Sequence, residues 1–414
     1  MENTQKLNNK PAYPYWKTII FVMTFGWIAI WVYRTALAPI YPEISTYFGG
    51  ISDSQIGSIS SLYFLGYVVM QIPSGILVDK FGQKVVLIPG FILFGIGTLI
   101  VALAGSIMAV YVGSVLAGVG CGTYYGVAYS LTGQHVPSSR KSLSTAIVNS
   151  GTAVGSGLGM VSSSYVVAQL GFPWQVMMYF TLALIIIMVF VFMRFIKSNK
   201  VTKSEESVVV VEPEVKTKGS HLFKPRMVGA YILYFATCYA YYLTDTWLPN
   251  FLATERGFEG ASIGIATSLV FFAAIPGALI FSRIADRFYH KKVALIMILE
   301  FIAGAMMLLA VIAPNSGMMM TGLIAYGFFG KLAVEPIILS WLVENVPKTG
   351  LGTTLGFFNF FGMTASVIVP SLTGIISDAT GSKVYAFYLS VLIIVVGATL
   401  FYILNRVQTK KDIA

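Results

Sequence analysis

Five ionisable side chains, Arg34, Asp245, Glu300, Lys331 and Glu335, stand inside long apolar runs. A charge at the centre of a bilayer costs at least ~2.5 to 3.5 kcal/mol, so each asks for a partner, for water or for a task. Arg34, in WVYRTALAPIYPEI, carries a guanidinium that proteins do not deprotonate, and its planar fork matches the geometry of a carboxylate or phosphate. Asp245, in TDTWLPNFL, and Glu335, in GKLAVEP, are acids that can take up and release a proton. Lys331 and Glu335 are one helical turn apart, a spacing that serves either mutual neutralisation or a second hold on an anion beside a titrating acid. Pro336 lacks a backbone donor and is expected to bend its helix. Glu300 is expected to sit in a structural pair with a nearby Arg or Lys.

The elements that must hold these groups follow from composition. The chain has 414 residues, 56% hydrophobic and 11% charged, with a mean hydropathy of +0.78. Soluble globular chains carry about 25% charged residues, so this is a membrane protein. Twelve apolar stretches of spanning length begin near Thr18, Ser54, Lys84, Ile107, Ser142, Trp174, Met227, Ala261, Lys292, Gly317, Thr353 and Val384. The N-terminal stretch lacks the apolar core and cleavage site of a signal peptide, so the first span is expected to persist as a helix.

With both termini on one side, 23 of the 27 Lys and Arg fall on that side, Arg256 and Lys383 lie opposite, and Arg34 and Lys331 are within spans. The positive-inside rule makes the crowded side cytoplasmic, and the formal charge of +10 then reports topology rather than a nucleic-acid partner. Cys121 and Cys238 fall inside spans and read as buried small hydrophobes; His135, His221 and His290 show no metal spacing. No GxxxxGK[ST] loop supports ATP drive, and neither a metal nor a cofactor is expected.

The polar stretch near the middle divides the chain into a tail (1–17), a first six-helix unit (18–197), a cytoplasmic linker (198–226), a second unit (227–405) and a tail (406–414). A constant step of 210 superimposes Pro39 on Pro249, Gly120 on Gly330, Val136-Pro137 on Val346-Pro347 and Asn149 on Asn359, as a duplicated unit requires. On the first helix Trp27, Trp31, Arg34 and Ala38 share a face; on the seventh Tyr234, Cys238, Tyr241 and Asp245 repeat that spacing. Tyr125 and Tyr241 offer apolar walls with hydrogen-bonding tips, as small-ligand pockets use. Asn149 and Asn359 suit either cargo or helix-to-helix bonding.

The loop GILVDKFGQK, residues 75–84, fits GxxxD[RK]xGx[RK]. It resembles the signature loop of the major facilitator superfamily, and SRIADRFYHKK, residues 282–292, resembles a degraded second copy. The resemblance implies an all-α membrane protein of two pseudo-symmetric six-helix bundles with both termini cytoplasmic, acting as a monomeric secondary transporter and not an enzyme. It also implies that Gly75, Asp79, Lys80, Gly82, Lys84, Asp286 and Arg287 form a conformational latch at the cytoplasmic helix ends.

YRTALAPIYPEI and TWLPNFL look like the anion:cation symporters of that superfamily, where the first-span arginine binds the anionic group of the substrate. Tyr33 stands where that branch often has an acid, and the seventh span lacks a second arginine for a phosphate clamp, which disfavours organophosphate exchange. The fifth span lacks the Gly-Pro pair of drug:proton antiporters. The resemblance therefore implies a small organic anion as cargo, a carboxylate, held by Arg34, and the residue types themselves offer Lys331, Tyr125, Tyr241, Asn149 and Asn359 as further contacts to it. Asp245 or Glu335 would carry the coupling proton. Because the first and seventh helices both line the cavity in that family, Arg34 and Asp245 are placed to pair across it, statically or in competition with cargo. Exchange, export and solute sensing without flux are the alternatives; a sensor would be expected to carry an added signalling domain.

Overall fold

A computed structural model describes residues 14–137, 140–197, 222–346 and 351–413, so most of the first tail and residues 198–221 of the expected linker lie outside the described residues. Among the described residues every regular element is helical. Helix α1 (Tyr15–Ala36) passes through a 3-10 turn containing Pro39 into α2 (Tyr41–Tyr47). Helix α3 (Asp53–Phe81) starts at a reciprocal cap between Ser52 and Gln55 and ends at Gly82, whose φ of 85° is open to glycine alone. The turn at that glycine starts α4 (Gln83–Ala102). Helices α5 (Ile107–Gly122) and α6 (Tyr124–His135) make one broken rod; α7 (Lys141–Ser163) widens into a π turn before α8 (Gln175–Phe195).

The second half repeats the plan with α9 (Pro225–Arg256), α10 (Ala261–Arg287), α11 (Lys292–Ile312), the broken rod of α12 (Ser316–Phe329) and α13 (Lys331–Asn345), α14 (Leu351–Thr380) and α15 (Val384–Ile413). A break falls at Gly330, between α12 and α13, and Pro336 lies within α13. Glycine opens the chain there at ψ −152°, outside the helical region. Ten of these rods are long and apolar enough to cross a bilayer. The other two are α7, rich in glycine and serine, and α9, rich in tyrosine and threonine.

Within the first half α1 packs on α7 and α8, and α5 on α3 and α4; within the second, α9 packs on α14 and α15, and α10 and α11 on α12. The halves meet where α3 lies along α14 and α7 along α10. The 210-residue step carries α3 onto α10 and α7 onto α14, so the two contacts are mates under the repeat.

The α3–α14 contact is tightest at the end poor in Lys and Arg. A Cβ on Gly57 would stand 2.1 Å from the Pro370 carbonyl oxygen, and one on Gly374 2.3 Å from that of Asp53. Asp378, from the second half, accepts the backbone N–H groups of Asp53 (2.9 Å) and Ser54 (3.0 Å), capping α3 across the interface. The Lys383 ammonium lies 2.7 Å from Asp53, and the Trp247 indole donates to the Pro370 carbonyl at 2.9 Å. These contacts close the charge-poor end.

Candidate functional site

Helix α1 turns Arg34 inward, where it is 9% exposed. Its Nε donates to the Tyr63 hydroxyl at 3.0 Å and its Nη2 to the Cys121 sulfur at 3.8 Å. Its guanidinium carbon lies 4.4 Å from the ring centre of Tyr67, 4.7 Å from Trp31 and 5.2 Å from Phe64. Each such ring contributes roughly 0.5 to 2 kcal/mol, which offsets desolvation of the cation without neutralising it. Among the described residues no carboxylate comes within 4 Å of Arg34. The pairing of Arg34 with Asp245 is therefore not made in this structure.

Asp245 is 1% exposed, with Oδ1 lacking a hydrogen-bond partner; Arg34 and Lys331 reach it only through their fields. The reason is packing: Trp31 meets Tyr241 and Tyr41 meets Trp247, while Phe64 of α3 packs on Tyr242 beside them.

Lys331 and Glu335 pair at 2.9 Å, as their spacing allows, and the Tyr234 hydroxyl donates to the other oxygen of Glu335. The Lys331 ammonium also sits 4.9 Å from the Tyr241 ring. Beside it a small cleft is lined by Tyr241, Thr244, Phe271, Tyr326 and Lys331.

Tyr125 is 40% exposed yet lies in the electrostatic field of Lys331 and Glu335, so its exposed face looks into the space between the halves. With the charge-poor end closed, that space opens toward the charge-rich end. Tyr125 packs on Tyr129, whose hydroxyl donates to Asn149. Asn359 donates to Gln71 at 3.2 Å, bridging α14 to α3. Equivalent in the repeat, the two asparagines thus hold different things: one a neighbour in its own half, the other the opposite half.

In the signature loop, Lys84 donates to the Met193 carbonyl at the end of α8, at 2.6 Å. Asp79, Lys80, Asp286 and Arg287 are exposed, and among the described residues neither Asp79 nor Asp286 forms an ion pair. Nothing lies within 4 Å of a Cβ built on Gly75.

Sequence reasoning missed Tyr63, Tyr67 and Gln71, and it gave Tyr234 a face but no task. The first three sit four residues apart on one face of α3, a visible stripe without a visible destination. Cys121 is more than a small hydrophobe, and its repeat mate is Lys331. Glu300 is 1% exposed and, among the described residues, has no ionic partner; it faces Thr237 instead of an Arg or Lys. Helix α11 turns that acid inward, while Lys292 at its charge-rich end engages Glu344.

An all-helical body with spanning rods and charged groups gathered between two halves defines a multi-pass integral membrane protein built as a transporter. The chain belongs to the Major Facilitator Superfamily, whose model matches residues 19–261 and 230–414. It is similar to the hexuronate transporter of Bacillus subtilis (24% identical, covering 90% of each chain). It is likewise similar to the D-galactonate transporter of Escherichia coli O6:H1 (24% identical, covering 95% of this chain and 96% of the other). Among solved structures, a bacterial homologue of the human lysosomal transporter Spinster, in an inward-facing and occupied conformation, superimposes with a TM-score of 0.77 at 15% identity. That match covers 95% of this chain and 98% of the other.

Proposed function

We propose that the protein moves a small organic anion, a carboxylate, across the bilayer by alternating access, with proton symport as the coupling. The observation that carries this reading is Arg34: a buried, permanently charged guanidinium held by aromatic rings, with no carboxylate of the described residues within 4 Å. A cargo carboxylate supplies the missing counter-charge through the free edge of the fork. Lys331 and Tyr241 form the facing wall, and Tyr125 lies toward the open end. Asp245 and Glu335 are the acids assigned to the proton. Hexuronate and galactonate, the cargoes named for the relatives, are both carboxylates.

The test is binding of D-galactonate and D-glucuronate to purified protein by calorimetry, with Arg34→Lys alongside. A point charge loses the Tyr63 bond and the stacked plane; a charge-assisted hydrogen bond is worth about 1.5 to 3 kcal/mol, so affinity should fall roughly 10- to 100-fold. Undiminished binding by Arg34→Lys removes the guanidinium from the site. Uptake into proteoliposomes under an imposed pH gradient, with and without internal counter-substrate, separates symport from exchange.

A further inference from the structure

Glu300 is the one intramembrane acid to which neither the anion nor Asp245 and Glu335 give a task. It lies on α11, 1% exposed, with Oε1 lacking any hydrogen-bond partner. The groups facing it are Thr237 and Cys238 from α9 and Tyr326 from α12. On α13, Lys331 is engaged with Glu335, and α15 meets α11 at Gly304 through Ile394 and Val395. None of these elements brings a cation within 4 Å of the carboxyl. A bare carboxylate stripped of water costs several kcal/mol or more, whereas the acid form costs far less.

The surroundings also set Glu300 near the anion site. Tyr326, whose buried hydroxyl has no hydrogen-bond partner among the described residues, lines the cleft that holds Lys331, Thr244 and Tyr241. Thr237 and Cys238 sit one turn from Tyr234 and Tyr241 on the helix that forms the wall of the anion site.

We propose that Glu300 is a proton-binding site inside the second half, near the Lys331 cleft that Tyr326 lines: the carboxyl takes its proton from water to become the neutral acid, and on release returns that proton to water and is left as a carboxylate. The assignment rests on the proton-symport reading only for its consequence in transport.

Infrared difference spectra of the purified protein between acid and alkaline buffer report the site directly. Wild type should show a protonated-carboxyl C=O band that Glu300→Gln lacks, with the bands of the other acids retained. Identical spectra overturn the assignment. Should Glu300→Gln not fold, Glu300→Asp should shift that band, and a spectrum superimposable on wild type overturns the proposal equally. In proteoliposomes with D-galactonate as probe, wild type should accumulate it under an inward proton gradient and Glu300→Gln should fall to an internal-to-external ratio of unity. If wild type shows the infrared band but no accumulation, the symport reading fails and the site stands; if both proteins accumulate galactonate equally, the site's part in coupling fails and symport stands.

Discussion

The closure of the charge-poor end makes Gly57→Ala a sharp perturbation. The added Cβ would stand 2.1 Å from the Pro370 carbonyl oxygen and 2.7 Å from its carbon, where ordinary contact begins near 3.4 Å. Both atoms are backbone, so no side chain can swing away; α3 and α14 must part by more than about 1 Å at that level. Overpacking of this kind costs about 1 to 3 kcal/mol. The penalty falls only on the state in which these helices touch, whereas the better helix propensity of alanine applies equally with that end open or closed. The closed-to-open ratio should therefore drop roughly 5- to 150-fold.

Spin labels at Gly105→Cys and Ser316→Cys, exposed positions at the charge-poor ends of the two halves, read the opening as a distance distribution. The native Cys121 and Cys238 are buried. Gly57→Ala should add a longer-distance population. Gly75→Ala, the same exchange on the same helix with nothing within 4 Å of the new atom, should not. A distribution in folded Gly57→Ala identical to the parent's refutes the reasoning.

The same end should respond to Asp378→Asn, which takes a negative charge from two N–H groups at the start of α3; a loss of about 0.3 to 1 kcal/mol should raise the longer-distance population modestly, and more at low salt than at high. Lys331→Met and Glu335→Gln should each lower thermal stability more than the double variant does relative to their sum, with a coupling of about 0.5 to 3 kcal/mol; strict additivity argues against a paired state in solution. Asn359→Ala should lower the population of the closed arrangement through loss of the Gln71 bond, worth about 0.5 to 1.5 kcal/mol, and adding Gln71→Ala should cost little further. The readout is the spin-label distribution for each variant.

Much of this arrangement is legible in the chain because helical periodicity and hydropathy act within one element. The stripe of Trp27, Trp31 and Arg34, the turn at Gly82, the Lys331–Glu335 spacing and the 210-residue repeat all survive into three dimensions. What was illegible depends on how helices rotate against one another. Periodicity puts Arg34 and Asp245 each on one face, but the packing of Tyr41 on Trp247 and Phe64 on Tyr242 decides that they do not touch. The same is true of Glu300, whose helix turns the acid toward Thr237 and away from any cation.

The separation of Arg34 from Asp245 gives the proposed coupling its physical basis. Were they bonded, an arriving carboxylate would have to break an ion pair and would leave a bare, buried aspartate behind, an outcome costing several kcal/mol. Held apart, with Lys331 paired to Glu335, they offer a cation with no carboxylate of the described residues within 4 Å and, separately, a carboxyl free to take up a proton. An anion arriving alone adds a net negative charge there, and a proton arriving alone adds a net positive one. Arriving together they leave the total unchanged, so the loaded cleft re-crosses the low-dielectric barrier at no greater electrostatic cost than the empty one. This predicts that Asp245→Asn, which fixes that position neutral, still binds galactonate at Arg34 but loses the dependence of binding on acid pH. A variant whose binding keeps the wild-type pH profile would move the proton to Glu335 or Glu300 and leave the anion site where it is.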